Sequence, residues 1–248
     1  MEKNTLNFVG RGSAFNVKEG NTSSYVKKEN HLLLIDCGSD VFKSLIEKDV
    51  LKGIEEVDVL LTHMHPDHFG SLGDLIFYTY FKMGTPQMPS ITIHHKSKNL
   101  TKTLESLGVY SFMYFEQEFY TEFKGKHRKI KDYFVKPVEV KHYPSLAVDN
   151  PFETIGFDLM INNKNIYYSG DSYIIPNQIL TSFLNLEFDE FYQDTCALDY
   201  EGNPHLSYKK LLEFIPHQLR ELVSIMHIDE TFDITQAKRD GFQVVEKI

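Results

Sequence analysis

The segment Thr62-His63-Met64-His65-Pro66-Asp67-His68-Phe69-Gly70 constrains this chain more than any other. It follows directly on Val57-Asp58-Val59-Leu60-Leu61, so residues 57–62 read as a buried strand. It precedes Leu72, Leu75, Ile76, Thr79 and Met83, which fall at helical spacing. Any fold that accepts this stretch must therefore present His63, His65, Asp67 and His68 at a strand-to-helix junction. In extended backbone, residues i and i+2 point the same way, so His63 and His65 can grip one ion together. Asp67 and His68, just past Pro66 and at the first turn of the next helix, can face a second ion. Imidazole and carboxylate suit zinc, manganese or iron. The plain alternative is a solvated polar loop, but ligands this dense have few structural uses.

Composition narrows what such a centre can serve. The 248 residues carry 26 Lys and Arg against 35 Asp and Glu, a net charge of −9, and 42% are hydrophobic. That is an ordinary globular balance with length enough for a two-layered or sandwich domain, and it excludes collagen-like, disordered and disulfide-stapled chains. The longest apolar runs, such as 32–35 and 57–61, the latter itself interrupted by Asp58, fall far short of the roughly 20 residues of a membrane span. The polar start Met1-Glu2-Lys3-Asn4-Thr5 has no secretory-signal pattern, and two cysteines, Cys37 and Cys196, fit the reducing cytoplasm. The acidic balance argues against a protein that grips long nucleic acid by its phosphates, and leaves small substrates open. With no internal repeat or linker, residues 1–248 read as a single domain.

A coarse pass gives strands over 6–9, 24–27 and 31–35, with Asp36-Cys37-Gly38-Ser39 ending the third and capping a helix over 40–48. Further on, 91–94 reads as a strand and 98–107 as a helix. Residues 138–143 read as a strand ending at His142, and 221–226 as a strand ending on His227. Residues 155–161 and 166–168 flank a polar turn and read as a hairpin. Strands mixed with helices throughout imply layers of sheet and helix.

The His-x-His-x-Asp-His motif, with elements in this order, resembles the metallo-β-lactamase superfamily of metal-dependent hydrolases. Val140-Lys141-His142-Tyr143, Tyr168-Ser169-Gly170-Asp171-Ser172 and Ile225-Met226-His227 match its later ligand positions in order and context. The resemblance covers most of the chain and implies an α/β fold, a four-layer αββα sandwich. It also implies two divalent ions, zinc or alternatively manganese. His63, His65 and His142 would hold one ion, Asp67, His68 and His227 the other, and Asp171 would bridge them. Asp36 matches the superfamily's early turn and is expected to be structural, tying down nearby backbone amides.

Asp171 and the Tyr-Pro context of His142 resemble the ribonuclease Z branch and its phosphodiesterase relatives. That branch carries His-Glu-Ala-Thr followed by His-Ser; here Gln193-Asp194-Thr195-Cys196 is followed by His205-Leu206-Ser207, with Gln193 in place of the first histidine. On this match Asp194 orients His205 as proton donor to the leaving oxygen; otherwise the two are unrelated residues near the turn Gly202-Asn203-Pro204. The RNA-processing enzymes insert a long basic arm between the ligands matching His142 and Asp171. Here the short interval is mostly hairpin and the arm is missing. The opening Gly10-Arg11-Gly12-Ser13-Ala14-Phe15-Asn16 and Gly20-Asn21-Thr22-Ser23 are similar to cyclic-nucleotide phosphodiesterases of the anti-Pycsar type.

The resemblance thus implies hydrolysis of 3′,5′-cyclic nucleotides, cyclic pyrimidine defence signals among them, to nucleoside monophosphates. Attack is by a metal-bridging hydroxide that Asp67 helps to orient, in a homodimer acting in the cytoplasm, a host's if the chain is viral. A ribonuclease Z-like endonuclease without its arm, a lactone or thioester hydrolase, and a non-catalytic binder of the same fold are the competing readings. Outside the motifs, His31, His94, His95, His127 and His217 read as core or surface histidines. The stretch Tyr110-Ser111-Phe112-Met113-Tyr114-Phe115, continuing to Phe119, Tyr120 and Phe123, reads as core, base-stacking surface or dimer contact. Phe77, Tyr78, Tyr80 and Phe81 share that ambiguity. The basic run over 124–131 reads as a solvated turn able to attract an anion.

Overall fold

The computed structural model describes residues 5–85, 87–119, 126–143 and 153–248. The chain divides into two compact units, Leu6–Tyr120 with Lys247–Ile248, and Thr121–Glu246 with Met1–Thr5.

The first unit is built on six strands in sequential order: β1 (Asn7–Gly10), β2 (Ser23–Lys28), β3 (His31–Ile35), β4 (Glu56–Leu60), β5 (Ile91–His95) and β6 (Phe115–Glu118). The first pairings are antiparallel, and from β3 onward all are parallel. Parallel strands covered on both faces carry continuous apolar runs, and β3 is buried along its whole length. The helices α1 (Val41–Glu47), α2 (Pro66–Phe69), α3 (Leu72–Lys82) and α4 (Leu100–Ser106) alternate with these strands. Val41 and Leu45 of α1, Leu72, Leu75 and Ile76 of α3, and Leu100 and Leu104 of α4 pack with Val57, Val59, Ile91 and Ile93 in one apolar cluster.

Successive strand residues face opposite ways, so Asp58 lies on the other face of β4 from Val57 and Val59. There it is held by His31 Nε2 at 2.7 Å and His94 Nε2 at 2.6 Å, which accounts for two histidines outside the metal motif. His95 pairs with Glu116 at 2.8 Å.

The second unit has seven strands in the order β13, β12, β11, β10, β9, β8, β7. These are β7 (Arg128–Ile130), β8 (Tyr133–Glu139), β9 (Ile155–Ile161), β10 (Lys164–Tyr168), β11 (Glu190–Asp194), β12 (Val223–Met226) and β13 (Gln243–Val244). β7 to β10 run antiparallel and β10 to β13 parallel. Asn162 and Asn163, with φ of 53° and 62°, make the two-residue turn between β9 and β10, a conformation asparagine tolerates well. Helices α5 (Asn177–Leu184), α6 (Tyr208–Phe214) and α7 (Ile234–Arg239) supply Ile179, Phe183, Leu211 and Ala237 to a cluster with Phe191, Val223 and Ile225.

Three expectations shift. The strand expected over 138–143 is β8, which starts earlier and ends at Glu139, so His142 lies past its end. The inward positions Tyr133, Val135 and Val138 carry that strand, with Lys136 and Pro137 interrupting the pattern. Arg128–Ile130 of the basic run is a strand paired with β8 rather than a turn. Glu221 and Leu222 belong to the 3-10 turn His217–Leu222 that follows Pro216, and only Val223–Met226 is strand. Among the described residues no helix is long and apolar enough to cross a membrane.

Burial raises the pKa of Asp58, but the hydrogen bonds and charges of His31 and His94 outweigh it and bring the carboxyl down to about 2. A carboxyl depressed on folding adds stability above its ordinary pKa, and that stability is lost as pH falls from there through about 2. Denaturant titrations between pH 5 and pH 2 should therefore show an acid limb that flattens in Asp58→Asn.

Candidate metal centre

In each unit most of the ligand-type side chains lie at or just past the C-terminal ends of parallel strands, while His142 follows the antiparallel β8. In the first unit, β3 ends at Ile35 and the next residue, Asp36, is left-handed at φ 62° and has no exposed surface. Its Oδ1 accepts the Thr62 backbone N–H at 2.8 Å, and its Oδ2 accepts the Thr62 hydroxyl and faces His68 Nδ1, both at 2.8 Å. The tie to a backbone amide is as expected; the grip on His68 is not legible from the motif. With Nδ1 committed to Asp36, the Nε2 of His68 is the nitrogen left for a ligand. It lies 3.3 Å from Asp67 Oδ2.

His65 stands at the N-cap of α2 and Pro66 at its first turn, which sets Asp67 and His68 on that turn as the sequence implied. His63 Nε2 and His65 Nδ1 approach to 2.8 Å, so the i and i+2 imidazoles do converge. The rings of His63 and His68 lie 4.2 Å apart between centroids. Gly38 supports this loop from below, where a Cβ would overlap the carbonyl of Asp67.

In the second unit, Asp171 and His227 follow the ends of β10 and β12, and Asp194 is the last residue of β11. Gly170, at φ 58°, supplies the left-handed turn before Asp171. His227 is itself left-handed at φ 58°, an uncommon conformation for a residue other than glycine. Asp171 faces two imidazoles: Oδ2 is 3.5 Å from His142 Nε2 and Oδ1 is 3.4 Å from His227 Nε2. The other nitrogens are anchored, His142 Nδ1 at 3.1 Å from the Pro204 carbonyl and His227 Nδ1 at 3.3 Å from Asp194 Oδ1.

Asp194, with no exposed surface, also accepts the Ser172 N–H at 3.0 Å and holds His205 Nδ1 at 2.8 Å. The pairing of Asp194 with His205 expected from the partial motif is thus present, and the hold on His227 is additional. Gln193, one residue earlier on the strand, is buried and gives its amide to the Asp194 carbonyl at 3.0 Å. Ligand atoms of Asp171, Asp194, His205 and His227 lie within 4.8 Å of one another. Imidazole nitrogens and carboxylate oxygens at this spacing are a donor set that fits a borderline divalent cation.

The pKa shifts separate two neighbouring histidines whose rings are 5.2 Å apart. Burial dominates at His142 and lowers it to about 4 against the pull of Asp171, which keeps it neutral and able to ligate. Burial also lowers His205, but the charge and hydrogen bond of Asp194, aided by Asp171, overcome it and leave the imidazole above its ordinary range. Burial would raise Asp194, yet His205 and His227 bring it below the usual carboxylate value.

A family model described as Anti-Pycsar protein Apyc1 matches residues 4–248. The chain belongs to this family. An Anti-Pycsar protein Apyc1 of Bacillus phage BSP38 is 27% identical over 238 residues, covering 92% of this chain and 90% of the relative. Among solved structures, the metallo-β-lactamase fold protein YhfI from Bacillus subtilis superposes with a TM-score of 0.71 at 15% identity, over 98% of this chain and 96% of that one. Human tRNase Z, short form, gives 0.70 at 17% identity over the same shares. This Apyc1-family chain therefore has the metallo-β-lactamase fold.

Of the expected site residues, His63, His65, Asp67 and His68 come together within the first unit, and His142, Asp171, Asp194, His205 and His227 within the second. Thr62, Asp36 toward His68, and Pro204 toward His142 were not foreseen in these roles. Only the neighbourhood of Thr62 to His63 and of Pro204 to His205 pointed to them. Outer partners of metal-bound histidines typically govern metal affinity by about 10- to 100-fold. Asp36→Asn should weaken metal retention by that order in competition with a chelator while the thermal transition stays cooperative.

Proposed function

We propose that this metal-dependent hydrolase is a phosphodiesterase that opens 3′,5′-cyclic nucleotides, cyclic pyrimidine defence signals first among them, to nucleoside monophosphates. The observation that carries the reading is Asp194 holding Nδ1 of His205 at 2.8 Å, because it provides a poised acid beside ligand-type residues. Family membership supports the anti-Pycsar role, and the short interval between His142 and Asp171 supports a substrate smaller than transfer RNA.

On this reading His63, His65 and His142 hold one divalent ion, Asp67, His68 and His227 hold another, and Asp171 is shared between them. Zinc fits the imidazole-rich set, with manganese the alternative. When bound, such ions supply Lewis acidity toward phosphoryl oxygens and lower the pKa of water to about 7. Asp67 orients the attacking water. As the bond from phosphorus to the ribose oxygen breaks, His205 gives its Nε2 proton to that oxygen, and Asp194 stabilises the imidazolium that exists before transfer. The raised pKa of His205 serves this role, since the acid must be charged near neutral pH. The elements Ser111–Met113 and Phe115–Glu118 leave Phe112 and Phe115 more than half exposed, which suits the homodimer expected of this branch. Met113, Tyr114 and Phe119 are core, and Tyr120 and Phe123 lie outside the described residues. A cyclic-nucleotide substrate supports action in the cytoplasm, a host's if the chain is viral.

Metal-loaded protein should be assayed against cyclic purine and pyrimidine nucleotides, a lactone and a precursor transfer RNA. Turnover of the cyclic nucleotides is expected; cleavage of the lactone or the RNA alone would overturn the reading. His65→Ala should lose metal and activity together. His205→Ala should keep its metal and lose about 10² to 10⁴ in rate, the range of a missing general acid. Wild-type turnover by metal-replete His205→Ala would remove it from the mechanism.

A further inference from the structure

Residues 196–207 of the second unit close on themselves into a loop that carries His205. Cys196 N–H donates to the Leu206 carbonyl at 3.0 Å, and Tyr208 N–H returns to the Cys196 carbonyl at 2.8 Å. Ser207 Oγ donates to Asp199 Oδ1 at 2.9 Å, and Lys209 Nζ to Asp199 Oδ2 at 3.1 Å. Inside this ring Asn203 is buried, and both polar atoms of its side chain are committed to the loop. Its Nδ2 donates to the Leu198 carbonyl at 2.8 Å and reaches Cys196 Sγ at 3.0 Å. Its Oδ1 accepts the His205 N–H at 3.0 Å, the bond by which an asparagine closes a turn on the amide two residues ahead.

That last bond falls on a peptide with two further duties. Pro204 and His205 share a trans, planar unit, in which C=O and N–H point in opposite directions. Its N–H is held by Asn203 Oδ1, and its C=O faces His142 Nδ1 at 3.1 Å. A carbonyl only accepts, so Nδ1 of His142 donates and the lone pair of that imidazole falls to Nε2. The same unit ends at the Cα of His205, whose Nδ1 meets Asp194 Oδ2 at 2.8 Å. Proline fixes its own φ, which leaves rotation about its Cα–C bond to set the plane of the unit. The grip of Asn203 on the N–H holds that rotation, and it polarises the carbonyl on the other side toward His142.

We propose that Asn203 is a positioning residue for two histidines at once: through the Pro204–His205 peptide it sets the ring of the ligand-type His142 and the place of the proton donor His205. The role of His205 rests on the phosphodiesterase reading; the hold on His142 does not. Because one peptide serves both, releasing it weakens metal binding and proton donation together. The two losses have different signatures. Weaker metal binding is recovered by adding metal, whereas a misplaced acid is felt only by a leaving group that needs a proton.

Alanine at 203 cannot accept the His205 N–H, and serine accepts it more weakly than asparagine. With Zn²⁺ as the probe in competition with a chelator, Asn203→Ala should bind the metal about 10- to 100-fold more weakly, with Asn203→Ser in between. At saturating Zn²⁺, Asn203→Ala should turn over a 3′,5′-cyclic pyrimidine nucleotide about 10²-fold more slowly, the cost of a misplaced catalytic group. It should cleave bis(p-nitrophenyl) phosphate at the wild-type rate, because nitrophenolate departs without a proton donor. Asp199→Ala loosens the same loop away from the shared peptide and should leave both readouts unchanged. Equal losses on the two esters, wild-type Zn²⁺ retention in Asn203→Ala, or the same pattern in Asp199→Ala would overturn the proposal. If Asn203→Ala does not fold, Asn203→Ser decides by the same readouts, with smaller losses in the same order. If the wild type turned over neither ester, the phosphodiesterase reading would fail, and the Zn²⁺ competition would still decide whether Asn203 sets His142.

Discussion

A carboxylate removed from water costs several kcal/mol unless donors replace its hydration completely. Asp36 and Asp194 have no exposed surface at all. Each meets that demand in the same way, with one backbone N–H from a neighbouring loop and at least one imidazole. Thr62 and His68 serve Asp36; Ser172, His205 and His227 serve Asp194. Because the donors must be in place for the burial to be tolerated, the loops that carry them have little freedom. The orientation of His68 and His227 follows from the solvation of a neighbouring acid.

The same arrangement divides labour between imidazoles. His142 and His205 are neighbours, but the Nδ1 of one faces a backbone carbonyl and that of the other a charged carboxylate. Burial acts alike on both, and the difference in the second partner sends their proton affinities in opposite directions. Environment rather than residue type thus separates the two, one held neutral and the other with its proton affinity raised.

The first ligand set was legible in the sequence because it is local: His63 to His68 span a strand end and one helical turn, where periodicity and a proline fix direction. β3 was legible for the same reason, as a short apolar run between turn residues. His142, Asp171 and His227 stand alone in the sequence, and only resemblance to a superfamily picked them out. The supporting contacts were illegible because they join distant positions, Asp36 to His68 across 32 residues and His142 to Pro204 across 62. The left-handed backbone at Asp36 and His227 was equally hidden, since neither side chain favours it strongly and the neighbours impose it. β8 was misplaced because Lys136 and Pro137 break an alternation that the paired strand β9 tolerates.

The chain's termini are exchanged between the two units. Lys247 bridges to Phe8 in parallel and the Ile248 N–H donates to the Phe8 carbonyl at 3.0 Å, along β1, the edge strand of its sheet. Thr5, the residue before that unit begins, donates its hydroxyl to Glu190 at 2.8 Å. The residues that cover the β1 edge lie 247 − 8 = 239 positions from it in sequence. Contacts of such separation slow folding, and an uncovered edge invites pairing with other chains. Removing Lys247 and Ile248 would uncover the β1 edge, far from any residue concerned with chemistry.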